Sequence, residues 1–171
     1  MPLRVVTEEF SGRVRESALR ILMENVLCSM STVATGNRAH INTAYFCYSD
    51  DLELYFLSHP DSLHCRNVFS RPVIAMTVFS SSQPWSSPGR GLQVFGRCGQ
   101  ATGIHARRAE HLYGKRFPRY ARWQASLKKA DAGAEYRFYR LVASTLKILD
   151  ERVLGDAVFG CATVMRDGRE K

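Results

Sequence analysis

The spacing of apolar residues changes once, near residue 27, and this change limits the folds open to the chain. Before it, residues 8–26 carry apolar side chains three or four positions apart, with arginines and glutamates between them, which predicts an amphipathic helix. After it, short runs rich in β-branched and aromatic residues are separated by turn-forming residues such as Gly36-Asn37 and Ser49-Asp50-Asp51. These runs cover residues 28–35, 38–48 and 52–57. They predict three strands of an antiparallel meander.

The rest of the chain continues with strands and short helices. The predicted elements are a helix at 63–70, a strand at 73–79, a loop at 80–91, a strand at 92–102, a helix at 104–117, a second helix from Pro118 to about Leu127, and strands at 136–149 and 158–165. Gly96 and Gly99 predict a bulge, or the close approach of another backbone, in the strand that contains them. The fold class is therefore mainly β (α+β): antiparallel strands in a closed or partly closed barrel with flanking helices.

The composition fits one domain with its own core. A length of 171 residues falls within the roughly 100–200 residues of a typical domain. Hydrophobic residues make up 45% and charged residues 23%, which excludes a disordered or collagen-like chain. We predict a single domain over residues 1–171, with the helix at 8–26, a barrel at about 27–150 and a tail at 151–171.

Three features predict a cytoplasmic protein. No apolar run approaches the roughly 20 residues that a membrane-spanning helix needs. Residues 1–9 lack the apolar stretch of a signal peptide. The five cysteines are odd in number and widely spaced, which favours reduced thiols over a disulfide framework. We expect no membrane as a partner.

The positive charge is concentrated in one segment. The whole chain has a formal net charge of +8, and residues 97–140 hold 11 basic and 3 acidic side chains. Such a segment could bind nucleic acid or another polyanion. It lacks the aromatic and glycine residues that RNA-binding modules place among their basic residues. A solvated, basic helical surface is therefore the favoured interpretation, and nucleic acid is not expected as a partner.

Standard catalytic and metal-binding motifs are missing from the sequence. It contains no Cys-x-x-Cys pair and no His-x-x-x-His pair, so we predict no metal, although ligands from distant positions stay open. It also lacks a dinucleotide-binding or Walker glycine loop and the Gly-x-Ser-x-Gly of serine hydrolases. Cys65 adjoins His64, but sequence neighbours rarely form a catalytic thiol–imidazole pair. No catalytic residue is assigned.

The segment from Ser58 to Asn67 has the pattern of a strand end, a turn and a helix start. Asp61 or Ser62 can cap the helix, whose first amides then face outward at the positive end of its dipole. A phosphate would fit there, bound by the hydroxyls of Ser58 and Ser62 and by His64 or Arg66. The alternative is a capped helix that carries polar surface residues and binds nothing.

Several short motifs lie between about Val26 and Asp150. No one of them is specific for a protein family, but their order along the chain is. The motifs are Met30–Thr35, Asn37–Phe46, Leu54–Ser58, Asp61–Val68, Arg71–Val78, Arg90–Gly96, Tyr113-x-x-Arg116-Phe117-Pro118 and Tyr136–Arg140. In this order they resemble the pyridoxamine 5′-phosphate oxidase-like, FMN-binding split-barrel superfamily. The resemblance implies a six-stranded antiparallel split β-barrel with Greek-key connections, and a homodimer with FMN at the subunit interface.

The resemblance also implies a set of cofactor-binding residues. The second strand would run beside the flavin ring and bind it mostly through its backbone, at Asn42, Thr43, Ala44 and Tyr45. The phosphate would lie at the end of the third strand and the start of the short helix, at Leu57, Ser58, Ser62, Leu63 and His64. Many members carry Arg and Lys where this chain has Leu63 and His64, so Arg66 is a candidate replacement. Gln93 is a candidate for the edge of the ring, and Trp85 and Arg90 lie in a loop that could close over it.

The predicted function is that of an FMN-binding protein, an oxidoreductase acting on a small-molecule substrate. The flavin would carry the redox chemistry while the protein binds it, orients it and excludes water. The pyridoxamine-phosphate oxidation of the superfamily is not expected, because the tail at 165–171 does not match the Arg-x-His motif of that enzyme. Haem or the deazaflavin F420 are alternative cofactors, since His64 could ligate haem iron. A polyanion-binding module built on residues 97–140 is the third hypothesis.

Overall fold

A computed structural model describes residues 4–129 and 136–165 of the chain. These residues form eight strands and five α-helices. The strands are β1 (Arg4–Glu9), β2 (Leu27–Ala34), β3 (Arg38–Tyr48), β4 (Glu53–Ser58), β5 (Val73–Val78), β6 (Arg90–Gln100), β7 (Arg137–Asp150) and β8 (Val158–Thr163). The helices are α1 (Gly12–Glu24), α2 (Leu63–Ser70), α3 (Gly103–Arg116), α4 (Tyr120–Lys129) and α5 (Glu151–Leu154).

Six of the strands close into an antiparallel barrel. The order around it is β7-β4-β3-β2-β5-β6, and β6 pairs again with β7 to complete the ring. β7 closes the barrel because its 14 residues are long enough to pair with β4, β6 and β8. β8 lies beside the second half of β7, and β1 adds a parallel strand to β8. The predicted six-stranded antiparallel barrel with flanking helices is confirmed, with two additional strands.

The N-terminal segment differs from its prediction. The helix expected at 8–26 covers Gly12–Glu24, and Arg4–Glu9 forms strand β1 instead. Gly12 has φ +45°, a left-handed backbone conformation that ends the extended segment and changes the chain direction between β1 and α1. β1 owes its backbone hydrogen bonds to β8, more than 150 positions away, so no local pattern could indicate it.

Gly96 lies where β6 and β7 approach most closely. A Cβ at this position would lie 2.0 Å from the carbonyl oxygen of Val142, so only glycine fits without a backbone shift. The β6–β7 register also shifts between Phe95 and Gly96. The bulge and close approach predicted from the glycines are therefore confirmed at Gly96.

The hydrophobic core has two parts. The larger part fills the barrel and is covered by the apolar face of α1, which buries Val14, Ala18, Ile21 and Leu22. The smaller part lies between the outside of the barrel and the α3–α4 pair, and it consists mainly of aromatic and small side chains (Cys47, Tyr55, Ala101, Ala109, Tyr113, Tyr120 and Phe138). This second part fixes α3 and α4 beside the gap between β3 and β4. Within the described ranges, no helix has the length and apolar character needed to cross a membrane.

Candidate cofactor-binding cleft

Strands β3 and β4 separate after a short paired stretch, and this separation opens the barrel wall. Only Phe46, Cys47 and Tyr48 of β3 pair with β4, whereas β3 pairs with β2 from Arg38 to Tyr45. The Phe46 N–H donates to Val26, on the β2 side. Because successive residues of a strand direct their N–H and C=O groups to opposite sides, those of Thr43 and Tyr45 face the opening. Within residues 4–129 and 136–165, no strand pairs with these groups, so the opening presents backbone donors and acceptors to a ligand.

A cleft of about 630 Å³ occupies this opening. Seven of its lining residues were predicted from the sequence: Asn42, Thr43, Ala44, Tyr45, Leu57, Ser58 and His64. Six were not: Tyr113, Phe117, Arg119, Tyr120, Trp123 and Tyr136. The predicted residues come from β3, β4 and α2, and the others come from α3, α4, their connection and the start of β7. The cleft thus has one wall from the barrel and one from the helices.

A neutral polar cluster forms one part of the barrel wall. The Ser58 hydroxyl lies 2.7 Å from Nε2 of His64 and 3.2 Å from the Ser62 hydroxyl, which is itself 3.2 Å from the same nitrogen. Burial, with a smaller contribution from His40, lowers the pKa of His64 below its ordinary value. The imidazole is therefore neutral at pH 7. Two hydroxyls and an imidazole then provide rotatable or tautomeric donors that can turn toward an anion.

The helical wall of the cleft is aromatic. Tyr113 contacts Phe117, Tyr120 and Phe138 with ring centroids 4.5–5.4 Å apart. Trp123 extends the group by edge contact with Tyr136 at 5.2 Å. The predicted motif Tyr113-x-x-Arg116-Phe117-Pro118 includes two of these residues, but their role in a cleft was not predicted. The four- and three-residue spacing of Tyr113, Phe117 and Tyr120 is a helical period that could have placed them on one face.

The remaining predicted residues are not part of the cleft lining. Ser62 belongs to the polar cluster, Leu63 begins α2 and is 42% exposed, and Arg66 is exposed on α2. Gln93 lies on β6, in register with Thr77 of β5 and Lys147 of β7. Their roles toward a cofactor stay predictions.

The loop predicted to close over the site packs elsewhere within this chain. Arg90 forms an ion pair with Glu24 at 2.8 Å and lies 3.5 Å from the buried Asp150. The Gln83 side chain closes the loop through hydrogen bonds with Ser80 and Arg90. Trp85 at its tip is fully exposed. Arg90 therefore fixes the loop to α1, and the loop contributes no residue to the cleft lining described above.

Several residues of the basic segment are used inside the fold. Arg108 contacts Asp51 and Glu53, and Arg140 contacts Glu53. Arg116 donates to the carbonyl groups of Leu22 and Asn25 and lies over the rings of Phe46 and Tyr48. Three of the 11 basic side chains therefore stabilise the domain, which weakens the hypothesis of a polyanion-binding surface.

Among the residues the structure describes, no group of three His, Cys, Asp or Glu side chains could hold a metal ion.

Comparison with solved structures identifies the fold. A haem-binding protein from Mycobacterium smegmatis superposes with a TM-score of 0.69 at 12% identity, covering 90% of this chain and 58% of the other. The haem storage protein HutZ from Vibrio cholerae gives 0.59 at 13% identity, covering 75% and 88%. A Clostridium acetobutylicum protein of the pyridoxinephosphate oxidase family, related to general stress protein 26, gives 0.62 at 7% identity, covering 88% and 94%.

These likenesses establish the fold alone. The chain shares the fold of these proteins, an antiparallel barrel of six strands, which agrees with the fold that its sequence motifs predicted. No protein-family model matches the chain, and no curated protein matches it in sequence. Structures with this fold include haem-binding proteins as well as oxidase-like ones.

Proposed function

We propose that the cleft binds FMN and that the protein is a flavin-dependent oxidoreductase of a small-molecule substrate. The observation that carries the proposal is the neutral cluster of Ser58, Ser62 and His64 at a cleft that also has an open strand edge and an aromatic wall. FMN combines the three kinds of group that such a cleft suits: a phosphate, a polar ring edge and a flat aromatic face.

An acceptor without a partner supports the fit of the flavin ring. Oδ1 of Asn42 is buried, and it has no hydrogen-bond partner among the described residues. A buried acceptor of this kind is costly unless a ligand or water donates to it. Flavin carries a ring N–H that could do so, and the backbone groups of Thr43 and Tyr45 supply further donors and acceptors. Bound FMN would supply the redox chemistry, while these residues would orient it.

The phosphate would be bound by Ser58, Ser62 and His64. Each of these side chains can present a proton to an oxygen without a change of backbone, because hydroxyls rotate and a neutral imidazole can carry its proton on either nitrogen. Ser62 also immediately precedes α2, an eight-residue helix whose first amide groups face outward. No side-chain hydrogen bond from Ser62 caps this helix, so its hydroxyl is not committed there.

We also propose a homodimer. The outer face of β3, β2, β5 and β6 carries a row of small and apolar side chains in register, at Ile41, Ser31, Ala75 and Phe95. Ile41 is 69% exposed, and Leu27, Tyr45 and Val73 on the same strands are also exposed. An exposed apolar sheet face of this kind is typical of a protein interface. A second copy of the chain is the proposed occupant.

The dimer would give Gln93 its predicted role. Gln93 shares a register row with Thr43, but β2 and β5 lie between them, which separates the two residues by about 14 Å at the usual strand spacing. Gln93 therefore belongs to the outer sheet face rather than to the cleft of its own chain. A contact with the ring edge would be made to FMN bound by the partner.

We also propose that the protein is cytoplasmic. The five cysteines are free thiols, which supports this location.

Haem is the second candidate cofactor. The observation that favours it is the neutral imidazole of His64 within the cleft, because only a deprotonated ring nitrogen can ligate iron. In the present arrangement Nε2 of His64 contacts Ser58 and Ser62. Iron ligation through Nε2 would therefore cost these two contacts, whereas phosphate binding would use the same cluster. This difference favours FMN.

The visible absorbance of the purified protein, before and after adding FMN or haemin, tests both candidates. We expect a flavin spectrum and quenched flavin fluorescence when FMN binds, with saturation at one FMN per chain. A sharp Soret band on adding haemin, lost in His64→Ala, together with no response to FMN, would replace the FMN proposal by the haem one. A protein that responds to neither ligand would overturn both.

A further inference from the structure

One arginine in the lining of the cleft has no polar side-chain partner in the part of the chain that the structure describes. Arg119 lines the cleft beside the aromatic wall. Its side chain makes no hydrogen bond or ion pair with any of the described residues. This sets it apart from Arg108, Arg116 and Arg140, whose guanidinium groups are all engaged. An arginine in a cleft, with no partner among the described residues, is available to a ligand.

The backbone holds Arg119 in place. It lies in the short connection between α3 and α4, where the Phe117 N–H donates to Tyr113 at 2.8 Å and the Tyr120 N–H donates to Phe117 at 2.9 Å. Phe117 and Tyr120, on either side of it, belong to the aromatic wall. The position of Arg119 is therefore set by hydrogen bonds and ring packing, while its side chain remains exposed.

The remaining polar lining of the cleft is neutral. Ser58 and Asn42 have no charge, and His64 is held neutral by burial and by His40. Arg119 is the only lysine or arginine among the described residues that line the cleft. Arg66, the candidate predicted from the sequence, is exposed on α2 and is not part of the lining. A phosphate monoester carries a charge of about −1.5 to −2 at neutral pH, which neutral donors alone do not balance.

From these observations we propose that Arg119 is the cation that recognises the phosphate of the cofactor, in addition to the neutral donors Ser58, Ser62 and His64, so that the charge by which the cleft selects FMN over riboflavin comes from the helical wall rather than from Arg66 on α2. This inference rests on the proposed function and adds to it the residue that determines specificity. Guanidinium suits the role because its planar set of donors can form two parallel hydrogen bonds with phosphate oxygens.

The test is a pair of binding curves for each variant, with FMN and with riboflavin, followed by the quenching of flavin fluorescence. Arg119→Gln should weaken FMN binding by about ten- to a hundred-fold, the range expected for a charge-assisted hydrogen bond, and change riboflavin binding less than about two-fold. Arg119→Lys should recover part of the loss, because it restores the charge but not the paired geometry. FMN binding by the wild-type protein should weaken with added salt, and that dependence should be smaller in Arg119→Gln.

Arg122→Gln is the matched control. Arg122 is exposed on α4, three residues further on, and does not line the cleft, so its loss changes the net charge equally without removing the proposed contact. It should leave both curves in place. Arg66→Gln tests the competing assignment, and a selective loss of FMN binding in that variant, with Arg119→Gln unchanged, would overturn ours.

Two further results have different meanings. Equal losses of FMN and riboflavin in Arg119→Gln would show that Arg119 shapes the cleft and does not bind phosphate, which overturns the inference but leaves FMN binding intact. No FMN binding by the wild-type protein would refute the proposed function, and the inference with it. Retained riboflavin binding in each variant is the evidence that the variant is folded.

Discussion

The polar groups at the two ends of strand β4 differ in their charge and in their hydrogen-bond partners. At its start, the buried carboxylate of Glu53 is contacted by Arg140, by Arg108 and by the hydroxyl of Tyr55. Arg108 also binds Asp51 with 2.9 and 3.2 Å contacts. At its end, Ser58 belongs to a neutral cluster with Ser62 and His64, joined by contacts of 2.7–3.2 Å, and Arg137 of β7 is its partner in the strand register. One end holds a buried network of ion pairs, and the other holds a neutral cluster at an open cleft.

Cavity size does not distinguish these two ends. A cavity of about 610 Å³ adjoins the Glu53 end, nearly the same volume as the cleft at the Ser58 end. Arg108 and Arg116 line the first cavity and bind protein acceptors, and the exposed Lys115 also lines it. In the second, the buried Oδ1 of Asn42 and the side chain of Arg119 have no hydrogen-bond partner among the described residues. A buried acceptor without a partner, rather than volume, therefore favours the second as the candidate ligand site.

The largest expected effect comes from breaking the charged end. Glu53→Ala removes the buried acceptor that Arg140 and Arg108 share, and it takes this acceptor from Arg140, whose side chain is only 14% exposed. Removing one partner of a buried ion pair typically costs about 3–5 kcal/mol, so the free energy of unfolding should fall by that amount. Urea denaturation measures it. A loss below about 1 kcal/mol would mean that the charged end does not hold the fold, and the contrast between the ends would fail.

The neutral end should respond to pH through His64. Its pKa lies below the ordinary value of 6.5 because of burial and the nearby His40, so the imidazole gains a proton only as pH falls below that value. A bound phosphate favours the protonated form, so FMN affinity should increase as pH falls, by no more than about tenfold per pH unit for one proton. Riboflavin affinity should not follow.

His64→Gln supplies the control for the pH prediction, because the phosphate of FMN itself titrates near pH 6. The ratio of wild-type to variant affinity isolates the contribution of the imidazole. We expect this ratio to rise toward acid in an FMN titration at fixed ionic strength. A ratio that stays constant with pH would place the phosphate away from His64.

Most of the barrel could be predicted because its signals are local. Strand β3 and helix α2 have the predicted bounds, since a turn or proline lies at each end of the pattern. The Thr35–Asn37 turn contains Gly36 and Asn37 with φ of 72° and 56°, the conformation that these two residue types tolerate best. β1 was missed because its one strand partner among the described residues is β8, at the other end of the chain.

The difference between local and long-range signals also explains which residues of the candidate cleft could be predicted. Asn42–Tyr45, Ser58 and His64 lie in two short segments whose motifs resemble a known superfamily, so sequence analysis could find them. The aromatic wall depends on α3 and α4 folding back beside the β3–β4 gap, which is a tertiary event. Arg119 was missed for a further reason: in a segment with 11 basic residues, the sequence does not tell which arginine lacks a partner.

Two serines, one near each end of β4, allow the two ends to be compared through substitutions with smaller expected effects. Ser49 exchanges hydrogen bonds with the backbone of Glu53 at 3.2 and 3.4 Å, and Ser58 bonds to His64 at 2.7 Å. Ser49→Ala should lower the free energy of unfolding by about 0.5–1.5 kcal/mol and leave FMN affinity unchanged. Ser58→Ala should weaken FMN by a few-fold and have the smaller effect on unfolding, because Ser62 still contacts His64. The reverse assignment of the two effects would contradict our distinction between the ends.

The smallest effect is expected at the exposed edge of the charged end. Partial burial acts to raise the pKa of Asp51, but hydrogen bonds from Ser49 and Arg108 outweigh it and lower that pKa. Asp51 therefore stabilises the folded protein above the ordinary carboxyl pKa of 3.8, and the contribution is lost as pH falls through the lower, folded-state value. The side chains of Asp51 and Arg108 are both more than 40% exposed. Asp51→Asn should therefore lower the free energy of unfolding by no more than about 1 kcal/mol at pH 7. In urea denaturation the cost should shrink in 1 M salt. A loss as large as that of Glu53→Ala would show that burial does not separate the two carboxylates.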